Sequence, residues 1–300
     1  VESVRSDIFT RGILGVSHAI HYKTVRYSDP DLAQVQATLD ATLASTQNYI
    51  TSYDRSRRKF IVFSTGPRHP GTYYLYNRET GRVQKLLDRL SVQIPARELA
   101  EMEPISYQAR DGVEIPGYLT RPKGAGPYPM VVLPHDGPIS RDYQEYQYWV
   151  QFLASRGYAI LQPQFRGSEG FGQNFRQAGK HQWGLLIQDN ITGGAKEMIT
   201  RGITDPARVC LLGTAFGGYA ALMGAVKTPD LYQCAVSFAG VSDLGAWVRY
   251  SVERYDWPDD MRHVGGVYEE GRQLRATSPI FNIDPIEIPI LLVHGDMDLV

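Results

Sequence analysis

The sequence lacks several features that would assign a protein to a functional class at once. Only two cysteines occur among its 300 residues, which excludes a disulfide-rich scaffold. Lysines and arginines total 31 against 32 acidic residues, and there is no basic tract, so the composition argues against a nucleic-acid partner. Apolar runs stay well short of the ~20 residues that a membrane-spanning helix needs. What remains is an ordinary globular composition, 43% hydrophobic and 21% charged.

Targeting and cofactor signals are equally sparse. The first residues, VESVRSDIFTRG, lack the basic and then apolar pattern of a signal peptide. The chain starts with valine rather than methionine, so an upstream segment and the choice between cytoplasm and periplasm stay open. The histidines share no metal-ligand spacing, and we expect no metal or other cofactor. Cys210 and Cys234 lie in apolar, strand-like runs, which favours buried free thiols.

The N-terminal third predicts short strands separated by tight turns. We place strands at 48–53, 59–64, 72–76 and 82–87. A helix is predicted at 32–43, where apolar residues recur at helical spacing. Four strands in about 40 residues match one blade of a β-propeller, although an isolated antiparallel sheet fits as well. We therefore assign residues 1–94 to the C-terminal part of a propeller with at least one blade, followed by a linker at 95–104.

Beyond the linker the pattern changes to an α/β protein. A hairpin is predicted around residues 110–112. Buried strand-like runs then alternate with predicted helices; the runs lie at 130–134, 158–163, 208–213, 234–240 and 288–295, and the helices at 143–155, 188–200 and 217–226. This alternation predicts a doubly wound, mostly parallel sheet in a domain of residues 105–300. Functional residues in such sheets lie at the carboxyl ends of the strands.

One strand-to-helix junction, GTAFG at 213–217, has the frame of a nucleophile elbow, G-x-S-x-G. The position of the attacking serine holds Ala215, and a methyl group cannot attack a carbonyl carbon. An ordinary strand–glycine–helix junction would give the same glycine spacing, so the surrounding motifs must decide. His135-Asp136-Gly137-Pro138 follows the 130–134 strand, where an oxyanion loop belongs, and HGDMD at 294–298 follows the last strand, where a triad acid belongs.

Together these motifs resemble the prolyl oligopeptidase family of serine peptidases, near its acylaminoacyl-peptidase and dipeptidyl-peptidase members. The stretches that carry the resemblance are HDGPISRDY, QFLASRGYAILQPQFRGSEGFG, AGKHQWG, GTAFGGYAALMGA, PDLYQCAVSFAGVSDL and PILLVHGDMD. The resemblance implies an α/β-hydrolase domain behind a β-propeller. It also implies hydrolysis of short peptides through an acyl-enzyme.

The resemblance assigns roles to individual positions. Ala215 stands at the nucleophile position and Asp298 at that of the triad acid. Phe216 and Gly137 belong to the oxyanion hole, together with Asp136, which replaces a glycine of the family's His-Gly-Gly-Pro motif. Its carboxylate would oppose the negative charge that develops there. The chain stops at Val300, before the family's catalytic histidine.

Three further residues have two interpretations each. His135 is more consistent with a structural loop residue than with a base. Arg166 is a candidate to clamp a substrate carboxylate, or it pairs with a carboxylate of the protein. Tyr255 lies in a polar, aromatic insertion at 246–267, which is either a solvated lid or part of a peptide pocket.

We therefore expect a peptidase-family domain that is inactive as written, with short peptides as ligands and no nucleic-acid or membrane partner. Two alternatives stay open: a natural, non-catalytic peptide-binding module, or an engineered serine-to-alanine fragment of an active peptidase. Homo-oligomer formation is left open.

Overall fold

The computed structural model describes residues 3–91, 94–254, 263–265 and 271–298. The chain divides into two compact units: Val1–Met102 with Tyr143–Ser155, called the first unit here, and Glu103–Asp142 with Arg156–Val300, called the second unit. The division falls inside the expected linker, but it moves one segment. Tyr143–Ser155, which the sequence analysis placed in the second domain, belongs to the first unit.

A buried side chain explains this reassignment. Gln151 accepts a hydrogen bond from the Ala100 N–H at 2.8 Å, and its amide nitrogen donates to the carbonyls of Ala100 and Pro67 at 3.0 and 3.1 Å. All of these partners lie in the first unit. A buried amide has to be hydrogen-bonded, so these contacts tie the segment to the first unit.

In its described residues, the first unit contains two antiparallel sheets and two helices. One sheet has the order β1-β2-β3, with strands Ser3–Ser6, Ile13–Ala19 and Lys23–Tyr27. The other has the order β4-β5-β6-β7, with strands Gln47–Tyr53, Lys59–Gly66, His69–Asn77 and Arg82–Asp88. The helices are α1 (Pro30–Thr42) and α2 (Tyr148–Ala154), and a short 3-10 turn spans Ala96–Glu98. The four predicted strands thus coincide with β4 to β7.

Helix α1 supplies much of the apolar core of the first unit. It begins at Pro30 because Asp29 caps it, accepting hydrogen bonds from the first free N–H groups, and because proline suits the first helical turn. Its buried face consists of Leu32, Val35 and Leu39, which cluster with Leu14, Phe60, Val62 and Tyr76 of the neighbouring strands.

Arg57 links the start of the chain to the cap of α1. Its guanidinium lies 2.8 Å from a carboxylate oxygen of Asp7 and 2.8 Å from one of Asp29. Asp7 also accepts hydrogen bonds from the N–H groups of Phe9 and Thr10, and its side chain is only 4% exposed. Arg57, followed by these N–H groups, holds the pKa of Asp7 far below its usual range.

The second unit is built on a seven-stranded sheet of order β14-β13-β12-β10-β11-β9-β8. Its strands are β8 (Met102–Gln108), β9 (Glu114–Thr120), β10 (Tyr128–Val132), β11 (Ala159–Pro163), β12 (Thr204–Thr214), β13 (Cys234–Phe238) and β14 (Ile290–Val293). Strands β10 to β14 run parallel, and β9 runs antiparallel to β11. The predicted, mostly parallel sheet is confirmed.

Within its described residues, the helices of this unit are α3 (Gln173–Gln177), α4 (Leu186–Thr200), α5 (Phe216–Lys227), α6 (Leu244–Arg254) and α7 (Gly271–Ala276), with 3-10 turns at Pro229–Leu231 and Pro279–Phe281. Of these, α4 and α5 match the helices predicted at 188–200 and 217–226. The first ten residues of α5 are all buried, and they join the central strands in one apolar core. Helix α5 is therefore the element around which the second unit packs. Among the described residues, no helix has both the length and the apolarity to cross a bilayer.

The expectation of two free thiols is wrong. Cys210 on β12 and Cys234 on β13 are partners in the register of these parallel strands, with their Cα atoms 4.8 Å apart, and they form a disulfide. Both side chains are half-buried rather than buried. Their pairing follows from the strand register, which the sequence pattern does not give.

Replacing Arg57 should destabilise the first unit and make its stability depend less on pH in the acid range. In Arg57→Met, Asp7 and Asp29 lose their cation, so the urea midpoint at pH 7 should fall. Because the folded-state pKa of Asp7 lies below its unfolded value of about 3.9, its stabilisation is fully present well above that value. The loss begins as the pH approaches the unfolded pKa and continues until the pH has fallen through the folded-state pKa. The variant should therefore lose less stability than the wild type between pH 7 and pH 3.5, as measured by circular dichroism.

The matched control is Arg58→Met. Arg58 pairs with Glu79 at 3.0 Å, but both side chains are exposed, and such pairs contribute little to stability. Equal effects of the two substitutions would contradict the role given to Arg57.

Candidate active site

Ala215 lies at a sharp turn between β12 and α5. Its backbone has φ 46° and ψ −112°, a conformation that a non-glycine residue adopts only under strain. The Ala215 N–H donates to the Phe238 carbonyl at 2.9 Å, and the Tyr219 N–H donates to the Ala215 carbonyl at 3.0 Å. The structure thus has the strained strand-to-helix turn that the glycine frame predicts.

The flanking glycines are required by close backbone contacts. A Cβ atom on Gly213 would lie 2.2 Å from the carbonyl carbon of Gly217, and one on Gly217 would lie 2.3 Å from the carbonyl oxygen of Pro134. Neither contact leaves room for a side chain. The second contact also brings the segment that follows β10 directly against the turn.

That segment carries Asp136, whose side chain reaches the turn. One carboxylate oxygen, Oδ1, accepts a hydrogen bond from the Gly137 N–H at 2.6 Å and another from the Phe216 N–H at 3.2 Å. The family resemblance groups Asp136 with the oxyanion-hole residues Phe216 and Gly137. In the structure its carboxylate is the acceptor for both of their N–H groups, so the side chain fills the point at which these donors are aimed.

His135 is held inside the protein by three contacts. Its ring stacks on Phe165 with centroids 4.2 Å apart, Nδ1 donates to the Asp136 carbonyl at 3.0 Å, and Nε2 lies 2.8 Å from the hydroxyl oxygen of Ser168. Burial lowers the pKa of His135. These contacts fit the structural interpretation, since a neutral, enclosed imidazole fixes the loop that carries Asp136.

The guanidinium of Arg166 is paired within the protein. Both of its terminal nitrogens donate to Asp111, each at 2.9 Å, and Nε donates to Asn190 at 2.8 Å. The side chain is buried, and Arg166 holds the pKa of Asp111 below its usual range. The structure thus contains the pair with a protein carboxylate, and the substrate clamp stays a prediction. A bidentate pair uses up the planar fork with which arginine recognises carboxylates.

Asp298 lies in the turn after β14, two strands from β12. The carboxyl ends of these strands align, because Thr214 pairs with Phe238 and Phe238 with Val293. His294 had no predicted role, and its Nε2 lies 3.3 Å from Oδ2 of Asp298. Their spacing of four residues in HGDMD is the signal that could have suggested this pair. Tyr255 lies outside the described residues.

The second unit also contains a cavity that the sequence did not predict. It has a volume of about 730 Å³ and lies between α6, the segment before β14, and the edge of the sheet. Its walls are mainly apolar, with Trp247, Ile280, Ile283 and Leu292 among them, and His294 lies on its rim. The lining residues come from separate segments of the chain, so no contiguous sequence motif predicts the cavity.

The sheet order, the strained turn after β12, the facing loop after β10 and the acidic turn after β14 define an α/β-hydrolase. The chain belongs to the prolyl oligopeptidase family, whose model matches residues 144–300. It is 31% identical over 258 residues to dipeptidyl aminopeptidase BIII of Pseudoxanthomonas mexicana, covering 80% of this chain and 37% of that protein. It is 28% identical to dipeptidyl peptidase family member 6 of Caenorhabditis elegans, covering 83% and 37%.

Solved structures agree with this assignment. A puromycin-hydrolyzing peptidase of Mycobacterium tuberculosis superposes with a TM-score of 0.70 at 25% identity, covering 78% of this chain and 37% of that one. A serine-to-alanine mutant of puromycin hydrolase, complexed with PGG, superposes with a TM-score of 0.68 at 25% identity, covering 78% and 36%. The chain thus spans little more than a third of the length of these relatives.

Gly217→Ala should disrupt the turn. The added methyl would collide with the Pro134 carbonyl, a backbone atom that cannot move aside. We expect a loss of more than about 3 kcal/mol in the free energy of unfolding, or failure to fold. Urea unfolding followed by circular dichroism measures the loss.

Gly245→Ala is the matched control. Gly245 lies in α6, and its added Cβ would meet only ordinary contacts at 3.4 Å and beyond. Its stability should be unchanged or raised by up to about 1 kcal/mol. Similar stability of the two variants would mean that the close approach at Gly217 is not needed.

Proposed function

We propose that this chain is a catalytically silent peptidase-family domain that binds short peptides without cleaving them. The observation that carries the proposal is Ala215 at the apex of the strained turn, where the family's mechanism needs a serine oxygen. The fold, the turn and the acidic residue after β14 are retained, whereas the attacking group is not.

Neighbouring groups are poorly placed to replace the serine. Thr214 is the last residue of β12, one position before the apex of the turn, where the family's serine would stand. His135 is enclosed by Phe165 and Ser168, so it is not available to accept a proton from a nucleophile at the apex. The loss of chemistry is therefore not repaired by an adjacent residue.

Loss of the serine does not imply loss of ligand binding. A serine contributes to the covalent step, whereas the ground-state complex depends on the walls of the site. The serine-to-alanine mutant of puromycin hydrolase complexed with PGG supports this point, because it is a family structure with alanine at a serine position and a bound ligand. Names of the relatives, among them a dipeptidyl aminopeptidase and an acylaminoacyl peptidase, point to short peptides as the ligand class.

We extend the proposal to the first unit. Strands β4 to β7 form a four-stranded antiparallel sheet with neighbours in sequence paired in space, which is the topology of one propeller blade. We propose that residues 1–94 are the C-terminal part of a propeller that precedes the hydrolase domain in the whole protein.

The proposal predicts binding without turnover. Titration calorimetry with alanine tripeptides to hexapeptides, each with a free or an acetylated amino end, should give saturable binding with a Kd in the range of about 1 μM to 1 mM, the range of enzyme KM values. Dipeptidyl p-nitroanilides should not be hydrolysed, and a fluorophosphonate probe should not label the protein.

The control variant is Ala215→Phe, which fills the apex with a large side chain. It should abolish peptide binding while the far-ultraviolet circular dichroism stays unchanged. Equal binding by both proteins would place the peptide elsewhere, and no binding by the folded wild type would contradict the binding proposal.

Restoring the serine tests the alternative that the chain is an engineered form of an active peptidase. In Ala215→Ser, Asp136 still takes up the Phe216 and Gly137 N–H groups, and loss of a single oxyanion donor costs about 10²–10³ in kcat. We therefore expect the variant to be labelled by a fluorophosphonate at least tenfold more slowly than Ala215→Ser/Asp136→Gly, both made in the full-length protein. Robust hydrolysis by Ala215→Ser alone would favour the engineered peptidase.

A further inference from the structure

Two backbone N–H groups from distant parts of the chain converge on one oxygen atom. Gly137 follows β10, and Phe216, 80 residues beyond Asp136, opens α5. Their nitrogens lie 2.6 and 3.2 Å from the same carboxylate oxygen, Oδ1 of Asp136. Two N–H donors aimed at one point form the arrangement that stabilises a negatively charged oxygen in acyl-transfer enzymes.

The end of α5 reinforces this attraction. The first N–H groups of a helix have no partner within it, and the helix dipole places partial positive charge at that end. Residues with a side-chain oxygen usually satisfy such groups from the position before the helix. Here that position is Ala215, which has no oxygen, and the carboxylate of Asp136 accepts from Phe216 instead.

The local backbone allows the carboxylate to reach both donors. Gly137 has φ 47°, a left-handed conformation that glycine adopts readily, so the chain turns immediately after Asp136. His135 fixes the preceding residue through its contacts with Phe165 and Ser168. The backbone that carries the Asp136 side chain is therefore held in place, while the residue is exposed to solvent.

We propose that Asp136 is an internal anion that occupies the oxyanion site and closes it to external anions. The carboxylate both satisfies the two donors and places a negative charge at the apex of the turn. A ligand carboxylate or oxyanion is admitted only when Asp136 is removed or withdraws. This inference concerns the anion site alone, and it holds whether or not the chain binds peptides.

The first experiment measures anion binding through thermal stability. Sodium acetate should raise the melting temperature of Asp136→Gly in a saturable manner, by about 2–4 °C, relative to sodium chloride of equal ionic strength. The wild type should show no such rise. Asp136→Asn should show none either, because its amide oxygen still fills the donors. Asp230→Gly, which removes an exposed carboxylate elsewhere, controls for net charge.

Two outcomes of this experiment would overturn the proposal. One is an equal acetate effect on the wild type and Asp136→Gly, which would mean that the donors are already free. The other is no acetate effect on a folded Asp136→Gly, which would mean that the two N–H groups do not form an anion site.

The second experiment uses the wild-type protein, so it does not depend on the folding of Asp136→Gly. With ¹⁵N-labelled phenylalanine and glycine, addition of sodium acetate at pH 7 should leave the amide signals of Phe216 and Gly137 in place, because the Asp136 carboxylate already accepts from both N–H groups. Asp136→Asn should behave in the same way. A saturable movement of both signals with acetate in the wild type would show that Asp136 does not occupy the site.

Discussion

Gly217 is pressed so closely against the Pro134 carbonyl that no side chain fits between them, and most of the candidate site depends on this approach. It brings the end of β10 against the start of α5, so the loop that carries Asp136 lies within hydrogen-bonding distance of Phe216. Ala215, which has a positive φ, lies at the same turn. The strained turn and the hydrogen bond from Phe216 to Asp136 are thus found where two backbones approach closely.

In an active hydrolase, the strain and the unsatisfied donors at such a turn serve catalysis, and both lower the stability of the folded protein. In this chain Ala215 keeps the strain, whereas Asp136 removes the other cost by satisfying the donors. Under the proposed function, the two residues act in a common direction: Ala215 supplies no attacking oxygen, and Asp136 satisfies the two donors.

The sequence predicted those features that depend on local patterns. Alternating apolar runs gave the sheet and its helices, and the glycines at 213 and 217 gave the turn, because both signals are contained in contiguous residues. Features that depend on distant partners were not identified. The sequence allowed a pair between Arg166 and a carboxylate of the protein, but it did not identify the partner, Asp111, 55 residues away. The bond between Cys210 and Cys234 depends on strand register. The orientation of the Asp136 carboxylate depends on a left-handed glycine and a donor 80 residues away, neither of which a motif records.

The membership of Tyr143–Ser155 in the first unit has a consequence for the connectivity of the chain. The polypeptide passes from the first unit to the second after Met102, returns after Asp142 and leaves again after Ser155, so the boundary is crossed three times. No single cleavage of the backbone can release either unit intact. After a single cut at residue 102, the C-terminal piece still carries Tyr143–Ser155, which packs with the first unit. A gene fragment that begins at residue 103 encodes a helix whose buried Gln151 has lost its hydrogen-bond partners Ala100 and Pro67. Neither unit of this chain corresponds to one continuous stretch of sequence, so neither can be expressed complete as a simple fragment.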